Sequence, residues 1–210
     1  AKKFFRPQLS DLHDPFLMND MRQAVNAINK AIGRKERILV FGDYDVDGCT
    51  AVTVVYKFLS EYFSNIDYYI PDRYDEGYGV SKRCIDYACE TGVKLMIVLD
   101  CGIKAVKEVE YARSLGIDVI ICDHHVPDEE LPEAIAILNP KRKDSTYPFA
   151  HLSGCGVGFK LMQKDVFLNM AGGLRVTDMA MDLSVIAAVL SSNVDTPIES
   201  GWCMAGEVGL

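Results

Sequence analysis

Three short segments of the sequence concentrate acidic and imidazole side chains at spacings that could bind metal ions. GDYDVDG (42–48) places an aspartate at every second position, VLD (98–100) ends in one, and CDHH (122–125) follows an aspartate with two histidines. The residues concerned are Asp43, Asp45, Asp47, Asp100, Asp123, His124 and His125. Carboxylates held within a few ångströms of one another repel, so they must share protons, pair with cations or bind metal. Neither GDYDVDG nor CDHH contains a lysine or arginine that would neutralise the acids.

The combination of ligand types predicts a metal-dependent reaction. Carboxylate oxygens together with one or two imidazoles are typical of Mn²⁺ or Mg²⁺ sites, with Zn²⁺ and Fe²⁺ as alternatives. Several aspartates in one cluster suggest two ions that share a bridging carboxylate. Two ions about 3.5–4 Å apart can deprotonate a bridging water and stabilise the oxygens of a phosphoryl transition state. If the three segments meet in space, the expected chemistry is hydrolysis of a phosphoester.

The predicted secondary structure brings these segments together. Short apolar runs with β-branched residues, typical of strands buried on both faces, occur at 37–42, 66–71, 94–100, 118–123 and 134–139. Helical patterns occur at 18–32, starting near Asn19 or Asp20, and at 48–62, 81–91 and 103–115. Gly92 and Gly116 follow the last two helices and fit helix C-caps. This order predicts an α/β fold, an open, mostly parallel five-stranded sheet with helices on both faces.

In such a sheet the acidic segments have a common location. Sites in open parallel α/β sheets lie beyond the carboxyl ends of the strands, and three of the predicted strands end in aspartate or are followed directly by one. Residues far apart in sequence are therefore expected to converge on one rim. The alternative interpretation is that each aspartate is an ordinary turn residue or helix N-cap.

Composition limits the other functions that the chain could have. The 210 residues are 49% hydrophobic, enough for a packed core, and the net charge of −8 argues against coating nucleic acid by charge alone. No apolar run approaches the ~18 residues of a membrane span, and the N-terminal residues lack the order of a signal peptide. We therefore predict a cytoplasmic protein with no membrane contact. The seven cysteines have no CxxC spacing and are interpreted as reduced thiols, most of them in the core.

The motifs resemble those of a known family. DYDVDG, VLDCG and CDHH resemble the first three motifs of the DHH phosphoesterase family, and YIPDRYDEGYG and HLSGCGVGFK resemble its RecJ-type branch. The resemblance covers about residues 37–165. It implies a 5′-to-3′ exonuclease that acts on single-stranded DNA in repair and recombination. The cofactor implied is Mn²⁺, with two ions expected and Mg²⁺ as an alternative.

The resemblance also assigns roles to individual residues. The implied metal ligands are Asp45, Asp47, Asp100 and His124. The implied catalytic residues are Asp43, which lines the same turn, Asp123, which would orient the histidines, and His125, which would touch the scissile phosphate or assist the leaving group.

Two further elements could bind phosphate. Arg73, in PDRYDEGYG, follows the second strand and can contact a phosphate with two nitrogens; the alternative is a surface ion pair with Asp72, Asp75 or Glu76. In SGCGVGFK, Gly154 and Gly156 open a predicted helix whose backbone N–H groups could face a phosphate. The alternative there is a simple tight turn.

The fourth metal-binding motif of the family is matched less closely. Asp195 is the candidate ligand, while Asn193 competes for the place and Asp182 is a third option. We divide the chain into an N-terminal loop and helix that pack on the domain (1–36), a DHH catalytic domain (37–198) and a tail (199–210). The family implies further C-terminal domains of the same polypeptide, so we interpret this chain as a catalytic piece, weakly active or inactive alone.

Three alternative functions remain at this stage. A DHH enzyme could instead hydrolyse short oligonucleotides, cyclic dinucleotides or pyrophosphate. DVDGCT also resembles the nucleophile turn of haloacid dehalogenase-like phosphatases, with Asp45 attacking phosphorus, although CDHH counts against that. A catalytically degenerate DHH domain could serve as a replication scaffold. Single-stranded DNA is the expected partner of the leading interpretation, together with replication and repair proteins.

Overall fold

A computed structural model of the protein describes residues 11–163. Within that range five α-helices, α1 to α5, span Met21–Gly33, Val46–Tyr62, Lys82–Glu90, Val106–Ser114 and Gly154–Met162. Five strands, β1 to β5, span Arg37–Gly42, Ile66–Tyr69, Val93–Leu99, Asp118–Cys122 and Ala136–Leu138. All strand pairs are parallel, in the order β2-β1-β3-β4-β5. The predicted α/β fold with an open five-stranded sheet is confirmed.

The strands are apolar throughout because both faces of the sheet are covered. Along β1, Ile38 and Val40 point into one core, which α1, α2 and α5 cover, whereas Leu39 and Phe41 point into the other, which α3 and α4 cover. All four side chains are fully buried. The alternation follows from the two-residue repeat of a strand. Within residues 11–163, no helix combines the length and apolar character needed to cross a membrane.

Several element boundaries differ from the prediction for local reasons. Helix α2 begins at Val46 rather than at position 48, because Asp45 acts as its N-cap and accepts the Gly48 N–H at 2.9 Å. Helix α4 begins at Val106 rather than at 103, because residues 102–105 form a turn in which the Ala105 N–H donates to the Gly102 carbonyl oxygen at 3.0 Å. The Asp45 cap and the 102–105 turn therefore determine where these two helices start.

The N-terminal helix α1 is fixed to strand β5, which forms the edge of the sheet opposite β2. Asp20 precedes α1 with a left-handed backbone (φ 61°), and its side chain makes no cap. Its Oδ2 instead accepts the Ile137 N–H at 3.1 Å and an Arg142 N–H at 2.6 Å. The predicted C-cap glycines are confirmed, since Gly92 and Gly116 have φ values of 77° and 74°.

The strand order creates a crevice between β1 and β3. From β1 the chain runs to β2 on one side, and from β2 it returns to β3 on the other side. Connections that diverge in this way leave a gap above the carboxyl ends of the two central strands, where ligands bind in doubly wound sheets. Asp43 follows β1 and Asp100 follows β3, so two of the acidic segments border that gap.

Candidate metal-dependent active site

Three aspartates lie buried at the carboxyl ends of neighbouring strands. Asp43 follows β1, Asp100 follows β3 and Asp123 follows β4, and they are 1%, 2% and 1% exposed. Buried carboxylates are costly unless hydrogen bonds or cations compensate them. The hydrogen bonds and cations that surround each of these carboxylates therefore indicate its role.

Asp100 is the least compensated of the three. Its backbone is left-handed (φ 60°), and its buried Oδ1 has no aligned hydrogen-bond donor among the described residues. His124 Nε2 lies 3.2 Å from this oxygen in an ion-pair contact. Burial raises the pKa of Asp100 to about 6. Only a glycine fits beside it, because a Cβ at Gly154 would lie 2.1 Å from Oδ1.

His124 completes a donor set that fits a divalent ion. Its Nε2 lies 3.2 Å from Asp100 Oδ1 and 3.7 Å from Asp47 Oδ2, and its contact with Asp100 raises the pKa of the imidazole. One donor atom each from Asp100, His124 and His125 lie within 4.8 Å of one another. A carboxylate oxygen without a partner beside two imidazoles is chemically suited to Mn²⁺. The residues present therefore fit the predicted metal.

The other two predicted ligands in this region have structural contacts as well. Asp45 is exposed and caps α2. Asp47 accepts the N–H groups of Gly154 and Cys155, both at 2.7 Å, at the start of α5. Each carboxylate oxygen has more than one lone pair, so these bonds leave acceptor capacity for an ion. Asp47 thereby ties α5 to the acidic rim.

Asp123 has a full set of hydrogen bonds. Its Oδ1 accepts the backbone N–H groups of His124 and His125, at 2.7 and 3.0 Å, and its Oδ2 accepts that of Ile103. The same Oδ1 lies 2.7 Å from Nδ1 of His125. Asp123 thus contacts the ring of His125 but only the backbone of His124. With Nδ1 bound to Asp123, Nε2 is the nitrogen of His125 that remains for chemistry.

Asp43 faces the loop that follows β2. Its Oδ1 accepts the Gly79 N–H at 3.4 Å, and burial raises the pKa of its carboxyl group. The preceding residue of that loop, Tyr78, places its hydroxyl 3.3 Å from the Asp100 carbonyl oxygen. Burial raises the pKa of the Tyr78 hydroxyl, which therefore stays protonated. The loop is attached to the acidic rim at two points.

The predicted phosphate-binding residues differ in availability. The Arg73 guanidinium lies over the Tyr44 ring, 5.4 Å from its centre, and none of the ion pairs within residues 11–163 includes it. In contrast, the Gly154 amide donates to Asp47 and the Gly156 amide donates to Ser153 Oγ at 3.0 Å. Binding phosphate at these amides would require both internal bonds to break.

The predicted metal ligand Asp195 and its alternatives, Asn193 and Asp182, lie outside the described residues.

Sequence reasoning missed the contribution of two tyrosines. Tyr44 stacks beneath Arg73, and Tyr78 contacts both Asp100 and His125. The available signal was the pair of glycines around Tyr78, because Gly77 and Gly79 have φ values of 78° and 85° and allow the turn that presents it.

The site corresponds to a known family. The family model described as "DHH family, N-terminal domain" matches residues 37–188. The chain is 45% identical over 161 residues to the single-stranded-DNA-specific exonuclease RecJ of Bacillus subtilis (strain 168), covering 77% of this chain and 20% of that protein. It is 42% identical over 146 residues to the RecJ exonuclease of Escherichia coli (strain K12), covering 69% and 25%. The chain thus spans a fifth to a quarter of the length of these relatives.

A solved structure described as exonuclease RecJ bound to manganese superimposes with a TM-score of 0.69 at 26% identity, covering 83% of this chain and 43% of that one. The family model covers more than half of the chain. In the structure, the acidic and histidine segments of this chain meet at one rim of the sheet. The chain therefore belongs to the DHH family.

Proposed function

We propose that this chain is the catalytic domain of a manganese-dependent exonuclease that degrades single-stranded DNA in the 5′-to-3′ direction, acting in the cytoplasm in DNA repair and recombination. The observation that carries the proposal is the buried Asp100 oxygen, which has no aligned donor within residues 11–163 and faces His124 at the rim of the sheet. The activity is supported by the RecJ relatives, whose names specify single-stranded DNA.

The metal would be held by Asp47, Asp100 and His124, with Asp45 beside them and Asp195 as the further candidate. Bound Mn²⁺, as two ions in this proposal, supplies an activated water and charge stabilisation for the phosphoryl transition state. The buried Asp100 carboxylate and the raised pKa of His124 support binding of a cation, because the surrounding carboxylates favour positive charge at this place.

The remaining residues would handle the phosphodiester. Nε2 of His125 donates a proton to the oxygen that leaves phosphorus as the P–O bond breaks, and Asp123 holds the ring through Nδ1. Arg73 binds a non-bridging phosphate oxygen, and its stacking on Tyr44 limits where the guanidinium can point. Asp43 acts by holding the 72–79 loop through Gly79.

Membership of the DHH family replaces the dehalogenase-like interpretation of DVDGCT. Two alternatives within the family remain as outcomes of the test: a phosphoesterase of small substrates, and a scaffold without activity. The extra length of the relatives makes further domains of the same polypeptide expected partners, together with replication and repair proteins.

The test is a single-turnover cleavage assay in the presence of Mn²⁺. The purified chain is in excess over a single strand of DNA that carries a 5′-phosphate and a 3′ label. We expect salt-sensitive binding and slow release from the 5′ end, with little processivity, and no cleavage of a blunt duplex. The Asp100→Asn variant, which keeps the size of the side chain, is the matched control and should be inactive. Cleavage of dinucleotides alone would favour the small-substrate alternative, and Mn²⁺ binding without any cleavage would favour the scaffold.

A further inference from the structure

Tyr78 occupies an unusual position for an exposed tyrosine. The residue is 57% exposed, yet its hydroxyl points inward, to a distance of 3.3 Å from the carbonyl oxygen of Asp100. The same hydroxyl lies 3.5 Å from each ring nitrogen of His125, so it approaches the imidazole between them. A distance of 3.5 Å to both nitrogens is too long for a strong hydrogen bond to either. The Tyr78 hydroxyl therefore contacts the His125 ring without forming a strong hydrogen bond to it.

The two rings also pack against each other. Their centres are 6.1 Å apart with an angle of 85° between the planes, an edge-to-face arrangement. On its other side His125 contacts the ring of His124, with centres 4.6 Å apart. The His125 side chain is 44% exposed, and among residues 11–163 its short polar contact is the one between Nδ1 and Asp123 Oδ1, at 2.7 Å. Tyr78 restricts the rotation that this single attachment leaves open.

The backbone that carries Tyr78 is itself fixed. Gly79 donates to Asp43 Oδ1, and Glu76 accepts hydrogen bonds from the Tyr69 hydroxyl, the Ser81 hydroxyl and the Asp72 N–H. These bonds attach the loop to the acidic rim at one end and to β2 and α3 at the other. The loop thus presents Tyr78 to His125 from a defined direction.

We propose that Tyr78 is a positioning residue for His125. Together with Asp123, Tyr78 holds the imidazole so that Nε2 faces the substrate. This role rests on the proposed function of the site, in which His125 protonates the leaving oxygen. The competing interpretation is that the Tyr78 hydroxyl only anchors its loop to the Asp100 carbonyl group. The two differ in whether the effect of Tyr78 depends on His125.

A double-mutant cycle separates these interpretations. Tyr78→Phe removes the hydroxyl and keeps the ring, and Tyr74→Phe is the matched control in the same loop, because Tyr74 is 93% exposed. We expect Tyr78→Phe to lower the single-turnover rate on the order of tenfold with little change in the DNA concentration at half-saturation. The loss should disappear when His125 is already alanine. Equal losses in both backgrounds would overturn the proposal, as would a rate equal to that of Tyr74→Phe.

A second measurement does not require activity. Nitrogen-15 spectra of the histidine rings, recorded with Mg²⁺ bound, report the tautomer and mobility of His125 directly. We expect one sharp set of His125 signals in the wild type and in Tyr74→Phe, and broadened or shifted signals in Tyr78→Phe. Unchanged His125 signals in Tyr78→Phe would reject the positioning role. If the wild type shows no cleavage, the proposed function fails, while these spectra still decide the role of Tyr78.

Discussion

Asp100 and Asp123 follow adjacent parallel strands and are equally buried, yet their surroundings are opposite. Asp123 accepts three backbone N–H groups and contacts the His125 ring, so both of its oxygens are occupied. Asp100 Oδ1 has no aligned donor in the part of the chain that the structure describes, and its pKa is raised to about 6. The carboxylate of Asp123 is fully hydrogen-bonded, whereas Asp100 Oδ1 has only the ion-pair contact with His124 within the described residues.

The difference shows that an acid at a strand end can serve two purposes. At Asp123 the following turn supplies N–H groups, and the residue orients its neighbours. At Asp100 the backbone of Gly154 approaches so closely that a Cβ there would clash with the carboxylate, whose Oδ1 lies beside His124. Each histidine is thus paired with a different aspartate, His124 with the uncompensated one and His125 with the compensated one.

The largest expected effect comes from separating the two histidines. His124→Ala should lose both Mn²⁺ binding and cleavage, because its imidazole faces Asp100. His125→Ala should keep Mn²⁺ binding and lose cleavage by ~10²–10⁴-fold, the contribution of a positioned general acid. Calorimetric Mn²⁺ titration and single-turnover cleavage on both variants check this.

Melting temperatures provide the control for the histidine variants. If His125 only stabilises the turn after β4, its replacement lowers the melting temperature and leaves the rate per folded molecule intact. Because His125 is also close enough to Asp100 to contribute a donor atom, a loss of Mn²⁺ binding in His125→Ala would make it a ligand instead and contradict the prediction.

Removing the uncompensated carboxylate should act on the metal. Asp100→Ala is expected to weaken Mn²⁺ affinity by at least ~10-fold, judged against the effect of residues that only support metal ligands. Stabilisation of the fold by Mn²⁺ should fall in parallel, since binding to the native state alone raises stability. The exposed Asp75→Ala is the control and should titrate like the wild type. An unchanged titration of Asp100→Ala would remove Asp100 from the site.

The general architecture could be read from the sequence, whereas the contrast between the aspartates could not. Apolar runs separated by helical patterns predict the parallel sheet, and parallel strands bring their carboxyl ends to one rim. The donors that distinguish Asp123 include the Ile103 amide, 20 residues away in the chain, and no local pattern encodes that contact. The predicted start of α4 was wrong because residues 102–105 form a turn, closed by the Ala105 N–H and the Gly102 carbonyl oxygen.

The complementary change tests the compensated aspartate. Asp123→Asn replaces one acceptor oxygen by an NH₂ group that faces backbone donors. We expect the free energy of unfolding to fall by about 2 kcal/mol, the cost of leaving buried donors unpaired. Urea denaturation in metal-free buffer measures it. The comparison would fail if Asp123→Asn were as stable as the wild type or if Mn²⁺ affinity fell more than in Asp100→Ala.

The buried lysine Lys160 extends the comparison to a cation and gives the smallest effect. It is 2% exposed, and its Nζ donates to the His13 carbonyl oxygen at 2.8 Å and to Gln163 Oε1 at 3.0 Å. Despite these bonds, burial lowers the pKa of Lys160 from 10.5 to about 8. Between those two values the unfolded chain binds a proton that the folded chain has released. The contribution of Lys160 to stability therefore rises with pH through that window.

The sign of this effect can be isolated with Lys160→Met, which keeps the length of the side chain and removes its charge. Tyrosines and cysteines also titrate at high pH, but they are common to both proteins and cancel in the difference. From pH 7 to pH 9 the unfolding free energy of the wild type should rise by about 1 kcal/mol relative to that of Lys160→Met. The exposed Lys107→Met should follow the wild type at both pH values. If the difference in unfolding free energy between the wild type and Lys160→Met did not change with pH, the two hydrogen bonds would compensate the buried ammonium fully. Lys160 would then resemble Asp123, whose charge is compensated, rather than Asp100.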